Sequence, residues 1–85
     1  MNWETTAQEK FRQMLDKIPA VLRPIAEKKV GQRAEALAVK DNRGEVLEKD
    51  MVDAFFVETP FGFHGPMKTD MAQLGIDYVQ YGYEK

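Results

Sequence analysis

The first segment of the chain carries the clearest helical pattern. Its apolar residues recur at i, i+4, i+7, i+8 and i+11, which is one face of an α-helix: Ala7, Phe11, Met14, Leu15 and Ile18. Thr5 and Gln8 have the spacing of a capping box, as does the pair one residue further on, so the helix is predicted to begin near residue 5. Pro19 disfavours helical geometry in the residue before it, which predicts an end at Ile18.

A second apolar stripe follows almost at once. One helical face would carry six residues: Leu22, Ile25, Ala26, Val30, Ala34 and Leu37. Pro24 decides where this helix can begin, because a proline in a helix interior costs ~3 kcal/mol. In the first turn its missing N–H has no intrahelical partner to lose. The helix is therefore predicted to begin between residues 20 and 23, after a tight corner at Pro19.

A polar break separates the second stripe from a third. Residues 39–45, VKDNRGE, predict a turn in which Asn42 or Gly44 takes a positive φ. In residues 46–58, helical spacing then aligns Leu47, Met51, Phe55 and Glu58, with Val52 and Phe56 beside them. Three amphipathic helices with short connections predict an all-α fold, a small three-helix bundle over residues 1–58.

The last 27 residues, 59–85, read as a turn-rich C-terminal extension. Residues 60–67, PFGFHGPM, hold two prolines and two glycines, which is typical of a structured loop. Residues 67–74 are compatible with a short fourth helix ending at Gly75. Residues 76–85 alternate in polarity, so this segment is expected either to pack on the bundle as an extended tail or to be partly disordered.

Composition narrows the classes of function. The 85 residues include no cysteine, which excludes disulfides, thiolate metal sites and iron–sulfur clusters built from this chain. No apolar run approaches the ~20 residues of a membrane span, and the first residues are polar. We therefore expect a soluble, cytoplasmic protein without a membrane partner.

Charge is unevenly distributed along the chain. Residues 1–43 hold nine Lys/Arg against six Asp/Glu, and residues 44–85 hold three against eight, within a net charge of −2. This asymmetry is compatible with a partner that is steered electrostatically. The simpler interpretation is a solvated helix surface followed by an acidic tail.

The helical segments also resemble a known small domain. The matching residues are Trp3, Ala7, Leu15, Ile18, Pro19, Val21, Leu22, Arg23, Ala26, Lys29, Val30 and Ala34, followed by the segment 46–54. Together they resemble the C-terminal domain of the B subunit of light-independent protochlorophyllide reductase, which also occurs as a free-standing PCP reductase-like protein. Two positions depart from that family. Gly31 stands where the family usually has Glu, and Leu47 stands where it usually has an N-capping Thr, a loss of ~1 kcal/mol that Glu48 and Asp50 can offset through the helix dipole.

The resemblance implies an accessory role. The family's large enzyme reduces a ring double bond with iron–sulfur clusters and ATP, yet this chain has neither cysteine nor a GxxxxGK[ST] loop. Likeness to one appended domain does not transfer the reaction. We expect a module that is not an enzyme on its own and that docks on an oxidoreductase subunit or covers its ligand site.

Three cations near the corner are the predicted contact residues. Arg23 belongs to the family motif and could hold a carboxylate bidentately, or pair with Asp16 or Glu27 of its own chain. Lys29 and Arg33 lie on a basic patch of the second helix. Against a nucleic-acid surface stand the net charge of −2 and the pI near 5.3, so no nucleic-acid partner is expected. A solvated helix face is the simpler interpretation of the patch.

His64 supports an alternative function. It is the only histidine and lies between Phe61, Phe63 and the methionines that follow, which suggests a small tetrapyrrole-binding protein with His64 as axial ligand or proton donor. The structural alternative is a loop histidine beside two core-packing phenylalanines. A lone histidine has no metal-ligand spacing, so no metal site is predicted. Carboxylates recur on the third helix without a nucleophile or base beside them, so no catalytic residue is predicted either.

Overall fold

The computed structural model describes all 85 residues as a small all-α bundle. Its elements in chain order are β1 (Asn2–Trp3), α1 (Thr5–Asp16), α2 (Arg23–Lys40), β2 (Glu45–Val46), α3 (Glu48–Glu58) and α4 (His64–Gln73), with short 3-10 helices at Phe61–Phe63 and Tyr78–Tyr81. The predicted fold class is confirmed. The fourth helix is longer than the predicted segment 67–74, because it begins at His64 and takes Pro66 into its first turn.

A two-residue parallel bridge joins the N-terminus to the start of α3. Asn2 pairs with Glu45 and Trp3 with Val46, and the Glu4 N–H donates to the Val46 carbonyl at 2.9 Å. The indole of Trp3 stacks on Phe11, with ring centroids 4.8 Å apart. The bridge anchors the chain end and places Val46 in the core. The periodicity of the sequence did not predict this bridge.

The first helix begins where predicted, but with another cap. The carboxylate of Glu4, rather than a threonine hydroxyl, accepts the Ala7 N–H at 2.9 Å. That backbone hydrogen bond holds the pKa of Glu4 below its ordinary value. The helix ends at Asp16, two residues before the predicted end at Ile18, and a turn follows in which Ile18 N–H still donates to the Leu15 carbonyl.

Helix α2 begins at Arg23, within the predicted range, and Pro24 lies in its first turn. The predicted apolar stripe is only partly buried. Val30 and Ala34 are in the core, whereas Leu22 and Ile25 are more than half exposed. Length explains the difference, because α2 has 18 residues and spans about 27 Å while α3 has 11 and spans about 16 Å. The N-terminal end of α2 therefore projects past its main packing partner.

Helix α3 is the centre of the core and supplies five of its 14 buried residues: Met51, Val52, Ala54, Phe55 and Phe56. The segment after α3 adds four more: Met67, Met71, Ile76 and Tyr78. Residues 59–85 and the helices of 1–58 thus share one core. No helix of the chain has both the length and the apolar character needed to cross a membrane.

The final ten residues, 76–85, form what we call the C-terminal strap. They are not extended, as their alternation suggested, but contain a 3-10 turn. The Tyr81 hydroxyl donates to Glu48 at 2.8 Å, the Tyr83 hydroxyl donates to Asp53, and the Tyr83 ring stacks on Phe56 at 3.8 Å. Three side-chain contacts therefore fix the strap to α3.

Candidate functional site

A largely apolar depression lies beside the Pro19 corner. It has a volume of about 540 Å³ and is bounded by the corner, the first turns of α2, the end of α3 and the start of α4. Apolar side chains from all of these elements form its surface: Ile18, Leu22, Ile25, Phe55, Phe63 and Met67. We call this depression the apolar groove.

Two corners of the chain, at Pro19 and Pro60, bound the groove. Pro19 turns the chain between α1 and α2, and Pro60 turns it between α3 and the next 3-10 helix. Each corner carries a strongly exposed apolar residue that is not part of the groove lining, Val21 at 81% exposure and Phe61 at 87%. Phe63 is also more than half exposed, so the two phenylalanines alone present about 300 Å² of aromatic surface. Apolar patches of this size commonly mark interaction sites.

Charged side chains line the two walls of the groove in an ordered way. The wall from α1 and α2 contributes Lys17 and Lys29, and the wall from α3 and α4 contributes Glu58 and Asp70. Glu58 is paired with Arg33 at 2.9 Å, and Lys17 donates to the Gln73 amide oxygen at 2.9 Å. Lys17 thereby reaches across to α4 and Glu58 to α2, so Lys29 and Asp70 are the charges that remain unpaired on opposite walls. The floor of the groove is apolar, and the unpaired charges on its two walls are of opposite sign.

Within the chain, Arg23 fastens the corner by binding backbone carbonyls. Its guanidinium donates to the carbonyls of Leu15 and Ile18, each at 2.9 Å, and more weakly to that of Asp16 at 3.5 Å. The expected pairing with the side chain of Asp16 or Glu27 does not form. Carbonyls at the end of a helix lack intrahelical donors, so a positive charge there satisfies them. Arg23 therefore fixes the corner that forms one end of the groove.

The two predicted contact residues on α2 lie differently. Lys29 is exposed on the groove wall and makes no ion pair within the chain. Arg33, one turn further on, is 46% exposed and bound to Glu58 of α3, so it joins the two helices above the groove. An ion pair this exposed contributes little to stability.

The chain matches one family model over residues 1–84, the model described as a protein of unknown function, DUF2621. It belongs to this family. No curated protein and no solved structure matches it. The description of the family states no activity, so the likeness to protochlorophyllide reductase stays a prediction.

His64 is the first residue of α4 and does not line the groove. Its Nε2 donates to the carbonyls of Thr59 at 2.9 Å and Phe56 at 3.2 Å, and its ring packs edge-on against Phe56. The histidine thereby closes the end of α3, and of its two ring nitrogens only Nδ1 makes no hydrogen bond within the chain. Phe61 and Phe63 do not pack in the core, as the structural alternative had assumed, but face outwards. A tetrapyrrole role for His64 stays a prediction.

One buried ion pair was missed by sequence reasoning. Asp50 is 2% exposed, and its two carboxylate oxygens accept from Arg43 at 2.6 Å each, while one also accepts the Leu47 N–H at 2.8 Å. Burial raises the pKa of Asp50, but the hydrogen bonds from Arg43 and the Leu47 amide outweigh it, and the net pKa lies below the ordinary value. Asp50 therefore supplies the carboxylate half of a capping box, while its own N–H, which a threonine at position 47 would have bound, donates to the Leu47 carbonyl at 3.0 Å. The sequence does show an acidic residue, Asp50, at the third position of the helix. Its pairing with Arg43 was not predicted.

A second groove of about 540 Å³ separates α1 from α2 and is mostly polar. Trp3 and Phe11 form its aromatic floor, and the Trp3 indole donates to Glu35 at 3.0 Å. A side chain at Gly31 would begin 3.8 Å from the Phe11 ring, so the glycine keeps this floor open. No group of three or more His, Cys, Asp or Glu side chains is placed to hold a metal ion.

Proposed function

We propose that the protein is a non-catalytic interaction module that docks on a partner protein through the apolar groove. The supporting observation is the concentration of solvent-exposed apolar side chains around one concave surface. Leu22, Ile25 and Phe63 are each more than half exposed and line the groove. Val21 and Phe61 are more exposed still and are the chain neighbours of the groove residues Leu22 and Pro60. Fully exposed apolar surface is costly in water, and its burial against a partner is the main favourable term in most protein association.

The resemblance favours an oxidoreductase subunit as that partner. Twelve residues carry the resemblance, and half of them line the groove: Ile18, Pro19, Leu22, Ala26, Lys29 and Val30. Most of these contribute little to the core, so their common feature is the groove. Docking there would place the module on the oxidoreductase or over its ligand site.

The acidic residues of α3 support a structural rather than a catalytic role. Asp50 is bound to Arg43, and Asp53 is bound both to Lys49 at 2.6 Å and to the Tyr83 hydroxyl. Hydrogen bonding to Asp53 raises the pKa of Lys49. These carboxylates hold the loop before α3 and the C-terminal strap.

Co-purification with matched variants tests the proposal. Ile25 and Val39 lie on the same helix with nearly equal exposure, 58% and 59%, but only Ile25 lines the groove. We expect tagged wild-type protein and Val39→Gln to retain an oxidoreductase subunit, identified by mass spectrometry, and Ile25→Gln to lose it. Circular dichroism confirms that both variants remain helical. Retention that is equal for the two variants, or of no oxidoreductase at all, contradicts the proposal.

A further inference from the structure

Two opposite charges on the groove walls have no partner within the chain. Lys29 on the α2 wall and Asp70 on the α4 wall form no ion pair, whereas the neighbouring Glu58 is paired with Arg33. Lys17, the other cation of the groove, donates to Gln73, whereas neither Lys29 nor Asp70 makes a side-chain hydrogen bond within the chain. Lys29 is exposed and Asp70 is partly buried. A complementary surface would present an acid to Lys29 and a base to Asp70.

A second copy of the chain is such a surface. A twofold axis parallel to the groove exchanges its left and right sides, so the cationic wall of one copy faces the anionic wall of the other. This symmetry sets the Lys29 side of one copy against the Asp70 side of the other, and the same juxtaposition occurs a second time. Interfaces of this isologous kind are closed, and cyclic pairs are the commonest soluble oligomers.

The apolar residues obey the same symmetry. Phe61 and Phe63 project from the α3–α4 side, and Val21, Leu22 and Ile25 project from the α1–α2 side. The twofold axis that matches the charges lays the phenylalanines of each copy on the aliphatic corner of the other. Together the two copies bring on the order of 1,000 Å² of apolar surface into contact, near the lower bound of stable, specific interfaces.

We propose that, without its partner, the protein forms a twofold-symmetric dimer through the apolar groove. The dimer covers a patch that would otherwise promote aggregation. Because the groove cannot hold a second copy and a docked partner together, partner binding must dissociate the dimer. The dimer therefore regulates access to the proposed docking site, and this regulatory role rests on the proposed function. The charges and apolar surfaces that support the dimer itself do not depend on which partner docks.

Charge reversal in the full-length chain tests this arrangement. Lys29→Glu and Asp70→Lys should each place like charges together at both symmetric contacts, raising the dimer dissociation constant on the order of 10- to 100-fold. In an equimolar mixture of the two variants, every reversed charge again faces the opposite sign, so dimers should reappear. Sedimentation equilibrium from low micromolar to submillimolar concentration measures these constants. Lys28→Glu makes the same charge change outside the groove and should behave as wild type.

Three outcomes overturn the dimer. They are a wild-type chain that is monomeric throughout the concentration range, equal dissociation constants for Lys29→Glu and Lys28→Glu, and a mixture of variants that stays monomeric. Since neither substitution removes an intramolecular ion pair, misfolding is not expected, and circular dichroism checks this. If the dimer fails while Ile25→Gln still abolishes co-purification, the docking function stands alone.

Discussion

The buried pair between Asp50 and Arg43 provides the sharpest test of how this fold is held together. We consider Asp50→Asn, which keeps the shape of the side chain and removes its charge. In the native protein one carboxylate oxygen accepts from Arg43 and from the Leu47 N–H, at 2.6 and 2.8 Å, and the other accepts from Arg43 alone, at 2.6 Å. An asparagine oxygen can keep the first position, but the amide NH₂ then faces a guanidinium donor.

The expected cost follows from these three bonds. One hydrogen bond to a charged group is lost, which is worth about 1.5–3 kcal/mol, and the two that remain lose their charge assistance. Arg43 keeps its bond to the Glu45 carbonyl and is 26% exposed, so it is not left as a fully buried charge. We therefore expect a loss of about 2–4 kcal/mol. For a domain of this size, 3 kcal/mol corresponds to a Tm lower by about 12–24 °C.

Urea denaturation and thermal unfolding at neutral pH measure this loss, and Asp41→Asn is the matched control. Asp41 binds the same guanidinium, at 3.1 Å, but its side chain is 71% exposed. Exposed ion pairs contribute about 0–1 kcal/mol, so the control should remain close to wild type. Equal losses for Asp41→Asn and Asp50→Asn would refute the reasoning, because burial would then make no difference to the value of the pair.

The dependence of the unfolding free energy on pH also tests the contribution of the Asp50–Arg43 pair. The pKa of Asp50 lies below its ordinary value of 3.8 in the folded protein. The stability that its charge contributes is therefore complete above about pH 4 and is lost as the pH falls through the lower, folded pKa. Asp50→Asn mimics the protonated group, so its difference from wild type should be constant from neutral pH down to about 4 and should narrow below that.

Further predictions concern the corner, the end of α4 and the strap. Arg23→Met should cost about 1–3 kcal/mol in urea denaturation, because it removes the donors from the carbonyls that end α1. Gly75→Ala should cost about 1–2 kcal/mol, because Gly75 has φ of 74°, whereas Gly44→Ala, at a position without positive φ and with open space, should be nearly neutral. Burial, and then hydrogen bonds to carboxylates of α3, raise the pKa of Tyr81 and Tyr83, so the stability they contribute is lost at alkaline pH. The advantage of wild type over the double Phe variant should be constant below about pH 10, the pKa of an unfolded tyrosine, and should shrink as the pH rises above it; an advantage that stays constant there would contradict this assignment.

Local signals in the sequence predicted the helices well. Pro24 placed the start of α2 because the chemistry of proline admits only the first turn, and Asn42 was one of two candidates for the left-handed turn that it forms, with φ of 57°. The β1–β2 bridge could not be predicted in this way. Two paired residues have no period, and the pairing joins segments far apart in the sequence.

Of the four contact residues predicted from the sequence, only Lys29 lines the groove, and the contacts of Arg23 were not predicted. The resemblance includes the Pro19–Arg23 corner, and Pro19 and Leu22 of that corner line the groove. The partner of Arg23 is a set of backbone carbonyls, which have no signature in the sequence. Likewise, periodicity placed Leu22 and Ile25 on the core face of α2, but only the relative lengths of α2 and α3 decide that this end of the face stays uncovered.

The fold places the cationic and the acidic half of the sequence on opposite sides of the groove. Residues 1–43, with their cationic excess, form α1 and α2, and residues 44–85, with their acidic excess, form α3 and α4. Because these two halves supply opposite walls of the groove, the asymmetry along the chain becomes an asymmetry across it, with Lys29 on one side and Asp70 on the other. Exposed charges of this kind are screened by salt and add little affinity, whereas the apolar floor has no orientation of its own. Apolar contact should therefore determine how tightly an occupant binds, and the charged walls should determine which way round it lies.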